Sequence, residues 1–178
     1  MNHSKYPSTR PNKHDDDIIT AVAMAIAKRL NHGGSGNEDD MAEGIAEAIK
    51  DNPGADGYEL ARKLDDNGWI EVDFSMCEEL DGVFGEMMGI VREKTKEWVG
   101  ANGIKPKNNL GDLVEITQGG RQYNGEIIQI YADQAEYVVN VPDLGHIKDG
   151  LGTHGCIIKF EDMHELSADP KDFSLATQ

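Results

Sequence analysis

The hydrophobic period changes once along this chain, and that change limits the fold more than any other feature. Up to Gly103 the apolar residues recur at three- and four-residue spacing; from Leu110 they alternate with polar ones. The first pattern puts one apolar stripe on a helix, and the second puts one apolar face on a strand. Helices in front and strands behind predict an α+β fold, or two modules in series. The 178 residues accommodate one domain, or two modules of under about 100 residues each.

Residues 1–14 read as a disordered arm: they are polar, carry Lys5, Arg10 and Lys13, and show no periodicity. They also lack the apolar stretch of a signal peptide. Asp15, Asp16 and Asp17 then open a helix, since acids in a first turn complement the helix dipole. Ile18, Val22, Ala25, Ile26 and Leu30 give it an apolar side, and it should end before Gly33-Gly34. A second helix is predicted over 38–50, with Asn37 as N-cap and Met41, Ile45, Ala48 and Ile49 on its apolar face. Pro53-Gly54 breaks the chain before a third helix over 56–66, which carries Tyr58, Leu60, Ala61 and Leu64. Trp69–Val72 reads as a loop or brief strand. Asp73 or Ser75 caps a long fourth helix over 75–100, with Cys77, Leu80, Val83, Phe84, Met87, Met88, Val91, Trp98 and Val99 as its apolar set. Gly82, Gly85 and Gly89 lie inside it, at about 1 kcal/mol each relative to Ala. A kink explains that cost, and so does close packing of another helix, from the same chain or from a second copy.

Lys105–Asn109 reads as a linker. Beyond it, strands are predicted at 113–116, 126–131, 136–141, 156–160 and 164–166, with a Gly119-Gly120 turn and a glycine-rich loop over 144–155. The expected organisation is an arm (1–14), an acidic helical domain of about four helices (15–104), a five-stranded small β-barrel (110–168) and a tail (169–178). Val114, Ile116, Ile128, Val139 and Ile158 are the expected barrel core.

Within 111–166, three stretches carry a resemblance: Gly111-Asp112-Leu113-Val114-Glu115-Ile116, Tyr123-Asn124-Gly125-Glu126-Ile127-Ile128, and Tyr137-Val138-Val139. Phe160–Leu166 supplies a closing turn and a last strand. This segment resembles a Src-homology-3-like small barrel of the KOW and Tudor-like kind. The resemblance implies a fold that binds protein, peptide or nucleic acid without naming the partner. Nucleic-acid-binding members carry basic loops, whereas here Arg121, Lys148 and Lys159 are scattered among acids.

Charge narrows the function classes further. The chain has 33 Asp and Glu against 17 Lys and Arg, a formal charge of −16. Direct binding to phosphate backbones needs clustered Lys and Arg, so a basic protein partner is the better match. Tyr58–Leu64 has the look of the first helix of a helix-turn-helix, but the helix after it begins among Asp73, Glu78, Glu79 and Asp81, which repel phosphate. On the second helix, Asp40, Glu43, Glu47 and Asp51 are spaced three, four and four apart. They share one face, opposite Met41, Ile45 and Ile49. Successive members lie about 5–6 Å apart, near the spacing of phosphates along one DNA strand. Glu79, Glu86, Glu93 and Glu97 form a longer stripe on the fourth helix. Like charges at this spacing are mildly destabilising. These stripes are candidate partner-binding residues that imitate a nucleic-acid backbone; the alternative is an ordinary solvated face.

Other chemistry has less to stand on. His146, His154, Cys156 and Asp143 include zinc-type ligands, but no CxxC or HxxxH spacing. Phosphate-loop, GxSxG and HExxH motifs are absent. Cys77 falls on an apolar helical face, where a structural thiol is expected. The pair Asp162 and His164 is explained by the barrel-closing turn. Cys77 and Cys156 suggest no disulfide framework, and no apolar run approaches a membrane span. The sequence therefore predicts a cytoplasmic, non-enzymatic binding protein without cofactor, metal or membrane. It would engage a basic, nucleic-acid-handling protein as a nucleic-acid-mimicking inhibitor of the phage anti-defence type. A barrel-based adaptor whose acidity only confers solubility, and a small metal-dependent hydrolase, are the competing expectations.

Overall fold

Short acidic and amide side chains begin the helices. In the computed structural model, which describes residues 9–31, 37–68, 73–144 and 155–163, Asn37, Asp56 and Asp73 each accept a backbone N–H two or three residues ahead, at 3.1, 2.8 and 3.0 Å. These bonds satisfy donors that a first turn leaves unpaired. The helices that follow are α2 (Glu38–Asp51), α3 (Gly57–Asp66) and α4 (Phe74–Asp81); α1 (Asp16–Leu30) precedes them and α5 (Val83–Asn102) follows. The expected Trp69–Val72 element lies outside the described residues. The chain divides into two compact units, Met1–Trp98 and Val99–Gln178, with the boundary inside α5.

In the first unit, α1 packs on α2, α2 on α3, and α3 on α4. One apolar cluster unites them: Ile18, Val22 and Ile26 of α1, Ile45 and Ile49 of α2, Leu60 and Leu64 of α3, then Leu80, Val83 and Met87. Two expectations change here. The long fourth helix is two helices, separated at Gly82. The break at Gly82 agrees with the kink alternative, whereas Gly85 and Gly89 are not packed closely within this chain: a Cβ at either would meet nothing within 4 Å. The tight approach is at Gly57, where a Cβ would overlap the Cys77 carbonyl oxygen and lie 2.5 Å from Asp81 N and Oδ1. The Gly57 N–H donates to that carboxylate at 2.6 Å, so the start of α3 is seated on α4. Residues 9–14 hold a turn built on reciprocal bonds: Asn12 donates its backbone N–H and its side-chain amide to the Asp15 carboxylate, at 3.0 and 2.7 Å.

In the second unit, β1 (Leu113–Gln118), β2 (Arg121–Tyr131), β3 (Glu136–Asn140) and β4 (Cys156–Lys159) form an antiparallel sheet in the order β1-β2-β3-β4. Gly119 and Gly120, with φ of 59° and 77°, make the two-residue β1–β2 turn, a geometry that needs left-handed residues at both positions. The sheet curls into a half-barrel, since Thr117 of β1 and Ile157–Lys159 of β4 line one cleft. Four strands are found among the described residues rather than five, and the expected strand at 164–166 lies outside them. Phe160 begins a short 3-10 turn, Phe160–Asp162, instead of extending β4.

The sheet core holds Val114, Ile116, Ile127, Tyr137, Val139 and Val141, with Ile158 packed against it. Ile128, expected inside, is 38% exposed and Ile127 takes its place at 1%. Tyr123, Gly125 and Ile127 alternate inward along β2, and Ile128 is the extra residue at an irregularity in the β2–β3 register between Ile127 and Gln129. An extra residue there reverses which face the following side chains occupy. The 105–109 linker is not free of this unit. The buried Tyr137 hydroxyl accepts the N–H groups of Lys107 and Asn108 at 2.9 and 3.1 Å, and its ring lies 4.3 Å from that of Phe160.

Candidate functional site

The carboxylates of the helical unit fall into two groups by what they touch. Helix α2 turns Ala42, Ile45, Ala48 and Ile49 into the core. That leaves Asp40, Glu43, Glu47 and Asp51 on its exposed side, one row along one helix. Asp51 pairs with Lys63 of α3 at 2.9 Å. Asp40, Glu43 and Glu47 make no ion pair among the described residues. At the Asp51 end the row runs into a cleft of about 230 Å³ between α2 and α3, whose lining includes Asp51, Glu59, Arg62, Lys63 and Asp66.

The second candidate stripe has different surroundings. Arg29, near the end of α1, donates Nε to Glu79 at 3.0 Å and Nη2 to Glu86 at 2.6 Å. Glu86 first, then Glu79, raise the Arg29 pKa above its ordinary value. A guanidinium fork between two carboxylates joins α1 to both α4 and α5. Glu79 and Glu86 are therefore held by a cation of the same unit. Glu93 is exposed, as is Glu97, which lies close enough to Lys94 to act on its charge. The role of Arg29 leaves little mark in the sequence: it stands 50 and 57 residues from its partners, and only their charge sign hints at a cation.

The acids of the α1 first turn are engaged as well. Asp16 pairs with Lys50 of α2 at 2.7 Å, and Asp17 pairs closely with Lys94 of α5. The Lys94 ammonium holds the Asp17 carboxyl below its ordinary value of 3.8, and Asp17 raises Lys94 above 10.5. A carboxylate with a depressed folded pKa adds stability above the unfolded pKa, and that contribution is lost as pH falls through the folded value. Lys94 acts in the opposite sense, adding stability below about pH 10.5. Asp17→Asn should therefore lower the urea midpoint between about pH 4 and 10. The deficit should vanish in acid once wild-type Asp17 is protonated. Urea titrations of both proteins across pH check this; a deficit persisting at pH 2 would show that packing, not charge, is the cause.

The remaining candidates fall only partly within the described residues. Among the described residues no group of three or more His, Cys, Asp and Glu is placed to hold a metal ion. His146 and His154 lie outside them, as does His164. Cys77 is packed against the helical core and Cys156 lies beside Gln118, with Sγ 3.5 Å from Oε1; both are free thiols. Among the described residues no helix is long and apolar enough to cross a membrane. The curled sheet adds one concave feature, a cleft of about 380 Å³ lined by Thr117, Ile157, Ile158, Lys159, Glu161 and Asp162. No family model, curated protein or solved structure matches this chain.

Proposed function

We propose that the helical unit is a non-enzymatic binding module that engages a basic surface on a nucleic-acid-handling protein through the α2 row. The contrast among its carboxylates carries the reading. Asp16, Asp17, Glu79 and Glu86 are held by Lys50, Lys94 and Arg29, whereas Asp40, Glu43 and Glu47 stand exposed without an ion-pair partner among the described residues. Three unpaired charges on one helical face repel one another and attract clustered Lys and Arg, speeding encounter. Such a row occupies a groove built for phosphates, so the sharper form of the reading is a nucleic-acid mimic in the cytoplasm, an inhibitor of the phage anti-defence type. Glu93 extends the binding face on this reading.

A second reading uses the sheet. Its cleft lies beside Ile157, which is 64% exposed, and this favours an adaptor that takes a peptide at the seam between β1 and β4. Residues 164–166 would then complete a five-stranded Src-homology-3-like barrel next to that seam.

The experiment is displacement. An octa-arginine peptide bound to a fluorescent DNA duplex should be released by this protein, with release falling as salt rises, because screening weakens exposed charge pairs. Absence of release at low salt would overturn the mimic.

A further inference from the structure

Phe84 occupies a core-like position in the sequence pattern, yet its ring is 53% exposed. A cation sits on it: Lys13 Nζ lies 5.6 Å from the ring centroid. An ammonium within about 6 Å of an aromatic face is attracted by the ring quadrupole. Lys13 is half-buried, and it lies inside the Asn12–Asp15 turn, which fixes where the chain enters α1. Charge is segregated along the chain in the same sense. Residues 1–14 contain Lys5, Arg10 and Lys13 and no Asp or Glu, while the whole chain carries −16. Lys13, tethered by this turn beside the Phe84 ring, meets it at high effective concentration.

We propose that Lys13, in the described part of this arm, is an internal pseudo-ligand. Lys13 takes, on the Phe84 ring, the place that a Lys or Arg of the basic partner takes in the complex. The arm thereby weakens association until it is displaced. The inference rests on the basic-partner reading of the helical unit, but it does not require that the α2 row form the contact. Weak, scattered cations fail to displace a tethered competitor, whereas a clustered basic surface succeeds. The arm would thus raise selectivity at the expense of affinity.

The test measures direct binding of octa-arginine to wild type, Lys13→Gln, Lys96→Gln, Phe84→Leu and the Lys13→Gln/Phe84→Leu double variant. Lys96 is exposed, so its substitution changes net charge equally and serves as the control. Lys13→Gln should tighten binding about two- to fivefold beyond Lys96→Gln, the range set by an exposed cation–π contact. In the Phe84→Leu background that extra tightening should disappear. Equal behaviour of Lys13→Gln and Lys96→Gln would overturn the inference, and so would tightening that persists without the ring. Thermal unfolding of each variant confirms that the fold is kept. If neutralising the α2 row changes binding no more than neutralising other acids, while the Lys13–Phe84 coupling is observed, the α2 reading fails and the arm inference stands.

Discussion

Val139→Asp should unfold the sheet unit and leave the helical unit folded. Val139 is completely buried, in the middle of β3, with Ile127 of β2 on one side and Cys156 of β4 on the other. A carboxylate there has no cation to meet, and an unpaired buried charge costs several kcal/mol. That is comparable to the entire stability of a small domain, about 5–15 kcal/mol. The two units have separate apolar clusters, so the damage should stay local. Amide hydrogen exchange provides the measurement. Protection across β1–β4 should collapse while α1–α3 keep theirs, and retained protection in β3 would mean that its register is wrong.

Gly57→Ala should produce the largest loss in the helical unit from a single added methyl group. The new Cβ would overlap the Cys77 carbonyl oxygen and crowd Asp81, two groups on the backbone of α4 or bonded to α3. Neither can move without shifting a helix. Overpacking of this kind costs about 1–3 kcal/mol, and in a unit of this size that lowers Tm by about ten degrees. Gly85→Ala is the internal comparison, because nothing lies within 4 Å of its Cβ position; it should be neutral or mildly stabilising, as alanine favours helix. Equal melting temperatures for Gly57→Ala and wild type would contradict the seating of α3 on α4.

These two sites also mark where sequence reasoning worked and where it stopped. Caps are local: a side chain meets an amide two or three residues away, so Asn37 could be read directly and Asp73 was one of two residues considered for its helix, while Asp56, placed inside the third helix from sequence, is its cap. Val139 was legible because period-two alternation places it inside. The same alternation failed at Ile128, since a register irregularity depends on the partner strand and leaves no mark within β2. Gly57 had no signal that separates it from Gly85. Whether a glycine is crowded depends on a helix some 20 residues further along the chain. The α2 row was visible as spacing, and its exposure follows from the apolar face opposite. What the spacing could not give was the difference between that row and Glu79–Glu86, because the Arg29 fork is a tertiary contact.

That difference is the centre of the functional account, and displacement of octa-arginine from duplex DNA tests it most directly. Two variants with equal net charge are compared across a salt series. One replaces Asp40, Glu43, Glu47 and Asp51 with Asn or Gln; the other neutralises four exposed acids elsewhere, Asp65, Glu78, Asp133 and Asp143. The account predicts that the first loses about tenfold in displacing power, from four exposed charge contacts at a few tenths of a kcal/mol each, and that its salt dependence becomes shallower. The second should stay close to wild type. Equal losses in both variants would contradict the account, showing that net charge alone attracts the peptide and that the α2 row is a solvated face.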